Sequence, residues 1–162
     1  MDQIIYDEKI GIEKCIDLFG VVRSPNDAAE LRGQVSRYLE SYPDHPGLLM
    51  LRSLSEVFSK DHNVEVAKQN FMTSISSAMN NYKVNDLIIF DFAVWAISNI
   101  ARCDKKLAKE LVIELTKLSN RLLNRILIKK LPIELTDIPA WGLLVKFQQD
   151  CNLLLTKMRG LK

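Results

Sequence analysis

The residues best suited to chemistry are few and scattered along this chain. Its two histidines, His45 in "PDHP" and His62 in "KDHN", each follow an aspartate that could orient an imidazole. The same residue types are typical of helix joints, where aspartate favours turns and histidine is a polar loop residue. Neither histidine has a third catalytic group nearby in sequence. We therefore expect both to be structural and the protein not to be an enzyme.

The three cysteines predict neither a zinc site nor a disulfide framework. Cys15, Cys103 and Cys151 are an odd number and form no C-x-x-C pair. Cys15 and Cys151 lie among apolar residues and are expected to be core thiols. Cys103 lies beside Arg102 and Lys105, whose charges favour a thiolate, so a reactive cysteine is the alternative there.

No metal or cofactor is expected, because the chain also lacks a glycine-rich phosphate loop. The start "MDQIIYDEKIG" lacks the basic residues and long apolar run of a signal peptide. Together with the unpaired cysteines, this predicts a cytoplasmic protein.

Charge is divided unevenly along the chain. Residues 1–101 contain nine Lys/Arg and fourteen Asp/Glu, whereas residues 102–162 contain thirteen and six. The basic residues of one long amphipathic segment are candidates for binding phosphates: Lys105, Lys109, Lys117, Arg121 and Arg125, with Lys129 and Lys130 beyond them. No aromatic residue is interleaved for base stacking, and Glu110 and Glu114 interrupt the series. Nucleic-acid contact and a solvated helix face both stay open.

Helix-period patterns fill nearly the whole chain and predict one all-α domain, residues 1–162, with about seven helices. Ser24, Asn63 and Asn85 are the predicted N-caps, and Gly20 is a predicted stop. The segment "KKLPIELTDIP" is predicted to be a connection with an extended patch, because residues before proline avoid the helical region. The predicted helices span about 2–19, 25–42, 47–59, 64–80, 86–101, 104–129 and 138–158.

The fifth predicted helix, "DLIIFDFAVWAISNIA", is apolar nearly all round. It is too short and too interrupted by polar residues for a membrane span, so we expect a buried central helix with neighbours on both sides. Asp91 lies within it. This carboxylate either binds a partner's Lys or Arg, or marks the exposed edge of its helix.

The stretch "LRSLSEVFSKDHNVEVAKQNFMTSIS" has large and small residues at regular places in two successive helices. A large residue, a large–small pair and an aromatic let two helices cross closely. The pattern resembles the tetratricopeptide repeat, a helix–turn–helix of about 34 residues. The matching residues are Leu51, Leu54, Ser55, Phe58, Ala67, Phe71 and Ser74.

This chain departs from the family's pattern at three places: Ser55 stands for glycine, Ser74 for alanine and Met79 for the closing proline. A weaker second match pairs Trp95 with Ala96. The resemblance implies antiparallel helix pairs, stacked either as a TPR-like α-solenoid or as an irregular helical bundle.

Stacked helix pairs leave a concave surface for a peptide or helix, so the expected function is a protein-binding adaptor or chaperone. The third and fifth helices are expected to line the groove, with Arg52, Glu56 and Asp91 as candidate contacts. The alternative is a helical subunit of a nucleic-acid-handling complex that contacts phosphates through the basic helix at about 104–130. A homo-oligomer stays open in either case.

Overall fold

A computed structural model describes residues 12–81, 89–127, 146 and 149–157 of this chain. Every regular element in these ranges is an α-helix, which confirms the all-α class. The helices are α1 (Ile12–Gly20), α2 (Pro25–Ser41), α3 (Pro46–Phe58), α4 (Val64–Asn81), α5 (Ile89–Ile100) and α6 (Lys105–Leu127), and residues 149–157 are also helical. The predicted extended patch at 129–139 lies outside the described residues, as does the predicted cap Asn85.

Helix starts follow from capping side chains. Ser24 Oγ accepts a hydrogen bond from the Asp27 N–H at 3.1 Å, and Asn63 Oδ1 accepts one from the Glu65 N–H at 3.1 Å, which confirms both predicted caps. His45 Nδ1 accepts from the Leu48 N–H at 3.1 Å at the start of α3. Asp104 Oδ1 likewise accepts from the Leu107 N–H at 2.9 Å at the start of α6.

The chain groups into two compact units, Met1–Asn81 and Tyr82–Lys162, here the N-terminal and C-terminal units. This grouping does not test the single-domain prediction. In the N-terminal unit, α3 is the central helix and packs against α1, α2 and α4. Eleven of its 13 residues are buried. The buried residues include the polar Ser53, Ser55 and Glu56, so α3 needs polar partners as well as apolar ones.

Serine side chains join α4 to α3. Ser53 Oγ donates to the Ala67 carbonyl at 2.6 Å, and Ser74 Oγ donates to the Pro46 carbonyl at 2.6 Å. Ser77 Oγ also donates to the Asp44 carbonyl, just before α3. Small side chains let the two helices approach, and their hydroxyls are satisfied by backbone oxygens.

Close packing at the start of α3 predicts a specific sensitivity. A Cβ on Gly47 would lie 2.8 Å from Cys15 Sγ and 3.1 Å from His45 Cε1, whereas a Cβ on Gly33 in α2 would meet nothing within 4 Å. We expect Gly47→Ala to lower the free energy of unfolding by about 1–2 kcal/mol through overpacking. Gly33→Ala should raise it by about 0.5–1 kcal/mol, because alanine is the better helix former. Urea unfolding of both variants measures this, and changes of the same sign would contradict it.

In the described part of the C-terminal unit, α5 and α6 pack against each other and contribute core residues. Phe92, Ala96 and Ile97 of α5 and Leu107 and Leu111 of α6 are all buried. The turn between the two helices is closed by the N–H groups of residues 103 and 104, which both donate to the residue-100 carbonyl. Trp95 and Ser98 of α5 are exposed, so this helix is not buried all round as predicted. Helix α3, with 11 of its 13 residues buried, is the more enclosed helix.

Among the helices in the described ranges, none combines the length and apolar character needed to cross a bilayer.

Candidate interaction surfaces

Arg52 and Glu56, two predicted partner contacts, belong to a hydrogen-bonded group of side chains around one buried carboxylate, here the Glu56 cluster. Glu56 Oε2 accepts from Arg52 Nη1 at 2.7 Å and from Arg32 Nη1 at 3.1 Å. Its other oxygen, Oε1, accepts from the Asn63 N–H at 2.7 Å. Arg52 Nε also donates to Ser36 Oγ at 2.9 Å. The cluster thus joins α2, α3 and the α3–α4 loop.

The electrostatics of the cluster favour an ionised Glu56. Burial raises the pKa of this carboxyl, since Glu56 is only 4% exposed. Hydrogen bonds from the Asn63 N–H, Arg52 and Arg32 lower the pKa and outweigh burial, so it lies below its usual value. Removing an ionised, buried carboxylate destabilises the fold strongly, because its two arginine partners then lack a counter-charge.

These contacts bear on the predicted groove. Glu56 uses both oxygens within the chain, and α3 exposes little surface that could line a groove. The partner-binding role of Arg52 and Glu56 stays a prediction, while their geometry favours a structural role. The i, i+4 spacing of this pair was visible in the sequence. The third member, Arg32, lies 24 residues away and no sequence signal connected it to Glu56.

Asp91, the third predicted contact, lies on the exposed edge of α5. Its Oδ1 is 2.9 Å from Lys146 Nζ, which is also 3.4 Å from Asp150 Oδ2. The hydrogen bond to Asp91 is the largest cause of the raised pKa of Lys146, and the nearby charge of Asp150 acts in the same direction. Lys146 was not predicted as a partner, because it is 55 residues from Asp91 and no local pattern connects the two.

One turn beyond Asp91, the Trp95 side chain is 38% exposed. The ring centroids of Trp95 and Phe92 are 5.8 Å apart, so the indole packs against a buried aromatic side chain. Asp91, Trp95 and Ser98 share one face of α5 by helical spacing. We call Asp91, Trp95, Lys146 and Asp150 the α5 patch. The second repeat-like match, which pairs Trp95 with Ala96, stays a prediction.

The basic residues of α6 are mostly on its solvent side. Lys105, Lys117 and Arg121 are exposed and Lys109 is half-buried, while the side chain of Arg125 lies outside the described residues, as do Lys129 and Lys130. Lys117 pairs with Glu114 at 3.5 Å. Among these cations, Ile113 is 41% exposed, which its apolar side chain did not predict. Spacing of three and four places five residues on one face, which we call the α6 stripe: Lys106, Lys109, Ile113, Lys117 and Arg121.

Both histidines contact backbone atoms near helix ends, and two of the three cysteines are buried. His45 caps α3, and His62 Nδ1 lies 3.2 Å from the Ser59 carbonyl in the α3–α4 loop. Burial raises the pKa of the Cys15 and Cys151 thiols to about 12.

The surroundings of Cys103 do not favour the thiolate that a reactive cysteine needs, and the reactive alternative stays a prediction. Burial, followed by the charge of Asp104, raises the pKa of this thiol, so its thiolate is disfavoured. Within the described ranges, no three His, Cys, Asp or Glu side chains come together as a metal site.

Comparison with known proteins returned no relatives. No protein-family model matches the chain, and no curated protein or solved structure is significantly similar to it. The resemblance to the tetratricopeptide repeat therefore stays a prediction based on the residues alone.

Proposed function

We propose that this chain is a non-enzymatic protein-binding module, acting as an adaptor or chaperone. The observation that carries the proposal is the exposed Trp95 beside an ion-pair network on α5. Trp95 packs against a core side chain and is also open to solvent. Tryptophans are enriched among the few residues that dominate binding energy at protein interfaces.

The α5 patch has the chemistry to hold a cationic side chain. Two carboxylates, Asp91 and Asp150, share the single ammonium of Lys146, which leaves a net negative charge. A partner's Arg or Lys could stack on the indole of Trp95 while its charge meets these carboxylates. The expected ligand is therefore a segment with a basic residue beside an apolar one.

Two further observations support this function. The α3–α4 pair packs extensively and carries the residues that resemble a protein-binding repeat. All three cysteines are free thiols, which suits the reducing cytoplasm in which we place the protein.

The test compares Trp95→Ser with Val21→Ser, which removes another exposed apolar side chain, this one from the N-terminal unit. Each tagged variant is purified natively from its source cells with nuclease treatment, and retained proteins are quantified by mass spectrometry. We expect Trp95→Ser to reduce a stoichiometric partner about tenfold or more, as for a hot-spot residue, and Val21→Ser to leave it unchanged. Circular dichroism checks that both variants fold. Absence of any stoichiometric protein from the wild type would overturn the proposal.

The second candidate function is a subunit of a nucleic-acid-handling complex. The exposed positions of Lys105, Lys117 and Arg121 favour it, since phosphate contacts require accessible cations. Under this function, partners disappear on nuclease treatment, and Lys117→Glu combined with Arg121→Glu weakens assembly. The α5 patch would then have no effect on partner retention.

A further inference from the structure

The solvent-facing side of α6 combines cationic side chains with an exposed aliphatic one. Four of the five residues in the α6 stripe are cationic, and the fifth, Ile113, is a large aliphatic side chain that is 41% exposed. Lys109 and Lys117 lie one helical turn before and after Ile113. Glu110 and Glu114 also lie beside Ile113, but cations outnumber carboxylates along this side of α6. An apolar centre among mostly cationic side chains can supply the hydrophobic contact and the polar rim of an interface.

We propose that the α6 stripe binds an acidic amphipathic segment of a partner protein. This inference rests on the proposed protein-binding function and adds a second surface and the chemistry of its ligand. An aliphatic residue of the segment covers Ile113, and carboxylates on either side meet the lysines and Arg121. The stripe extends from Lys106 to Arg121, about 22 Å at the helical rise, so it accommodates a partner helix of about four turns.

The ion pair between Lys117 of the stripe and Glu114 does not block such a ligand. Lys117 and Glu114 lie 3.5 Å apart and both side chains are substantially exposed. Surface pairs of this kind contribute little free energy, so a partner carboxylate can replace Glu114 at small cost.

Two other occupants fit less well. Nucleic acid gains nothing from an exposed aliphatic residue, and α6 contains no aromatic side chain on which bases could stack. A second copy of the chain could offer the acidic residues of 1–81, a range that holds eight Lys/Arg and twelve Asp/Glu. That contact would join two unlike surfaces of identical chains. It fits less well because such a contact continues into a ring or a filament instead of closing as a two-fold dimer.

The test uses defined probes and the full chain. A fluorescent peptide of about 18 residues, with leucines at helical spacing and glutamates elsewhere, is compared with a scrambled peptide of identical composition. An oligothymidylate of about 20 nucleotides serves as the nucleic-acid probe. Dissociation constants are measured by fluorescence anisotropy.

Two stripe variants are compared with two matched controls in the N-terminal unit. Lys117→Glu is matched by Lys60→Glu, and Ile113→Ser by Val21→Ser, since all four side chains are exposed. We expect Lys117→Glu to weaken peptide binding about tenfold and Ile113→Ser about fivefold, with both controls unchanged. The scrambled peptide should bind at least about tenfold more weakly than the amphipathic one.

Each other outcome overturns the proposal. If the scrambled peptide binds with equal affinity, the stripe attracts acidic peptides by charge alone. If neither peptide binds, the stripe is a solvated helix face. Tighter binding of the oligonucleotide, insensitive to Ile113→Ser, assigns the stripe to phosphates. A change of oligomeric state in the stripe variants, seen by sedimentation, assigns it to a second copy. If partner retention in cells persists while the peptide fails, only this inference is lost and the proposed function stands.

Discussion

Glu56→Ala is expected to lower the free energy of unfolding by about 3 kcal/mol, because it removes the centre of a buried charge cluster. Two arginines would lose their carboxylate, and the Asn63 N–H would lose its acceptor. The arginine side chains are 26% and 18% exposed and can recover some hydration, which keeps the loss at the lower end for a buried pair. Urea unfolding at neutral pH, followed by circular dichroism, measures the change.

The matched control is Glu114→Ala, which removes a carboxylate from the exposed pair with Lys117. We expect this substitution to change stability by less than about 0.5 kcal/mol. Equal losses for the two variants would mean that the Glu56 cluster contributes no more than a surface ion pair.

The same cluster predicts a pH dependence. The folded-state pKa of Glu56 lies below its usual value of 4.5, so its ionisation stabilises the folded chain above that pH. This contribution is lost as the pH falls through the lowered folded-state pKa. The stability difference between wild type and Glu56→Gln should therefore be full at neutral pH and narrow in acid. A difference that stays constant with pH would show that charge is not what Glu56 contributes.

Ser74→Leu is expected to lower the free energy of unfolding by about 3 kcal/mol. Ser74 is completely buried between α4 and the start of α3, and its hydroxyl lies 2.6 Å from the Pro46 carbonyl. Leucine is larger than the completely buried serine, so it would overpack this site, and it would also remove this hydrogen bond. Ser76→Leu, an exposed change in the same helix, is the control and should have little effect. Thermal and urea unfolding of both variants measure the difference.

Ser74→Ala separates the two parts of that loss. If only small size matters, as the repeat resemblance implies, alanine should be nearly neutral. Because the hydroxyl also satisfies a backbone carbonyl, we expect a loss of about 1 kcal/mol. A neutral Ser74→Ala with a harmful Ser74→Leu would assign the position to packing alone.

Local patterns predicted most helices and two of their caps. Ser24 and Asn63 cap α2 and α4 because a side-chain oxygen needs only the next few N–H groups, all within the same short segment. The predicted stop at Gly20 is also the last residue of α1. The cap His45 escaped prediction, because histidine is a less usual cap than serine or aspartate.

The sites were predicted less well, since they depend on pairs distant in sequence. Asp91 was recognised as an unusual carboxylate, but its partner Lys146 comes from another segment of the same unit. Arg52 and Glu56 were recognised as charges on a helix, but Arg32 and the loop N–H of Asn63 make them a buried cluster.

The uneven distribution of charge follows directly from the residues. The all-helical class and most helix boundaries could be predicted from them, because helical period and capping are local properties. Which helix is buried depends instead on packing between distant segments. Helix α5 is the more apolar in sequence yet exposes Trp95, while α3 buries Ser55 and Glu56. Polar groups can be buried when packed neighbours satisfy their hydrogen bonds, and those neighbours are chosen by packing over long sequence distances.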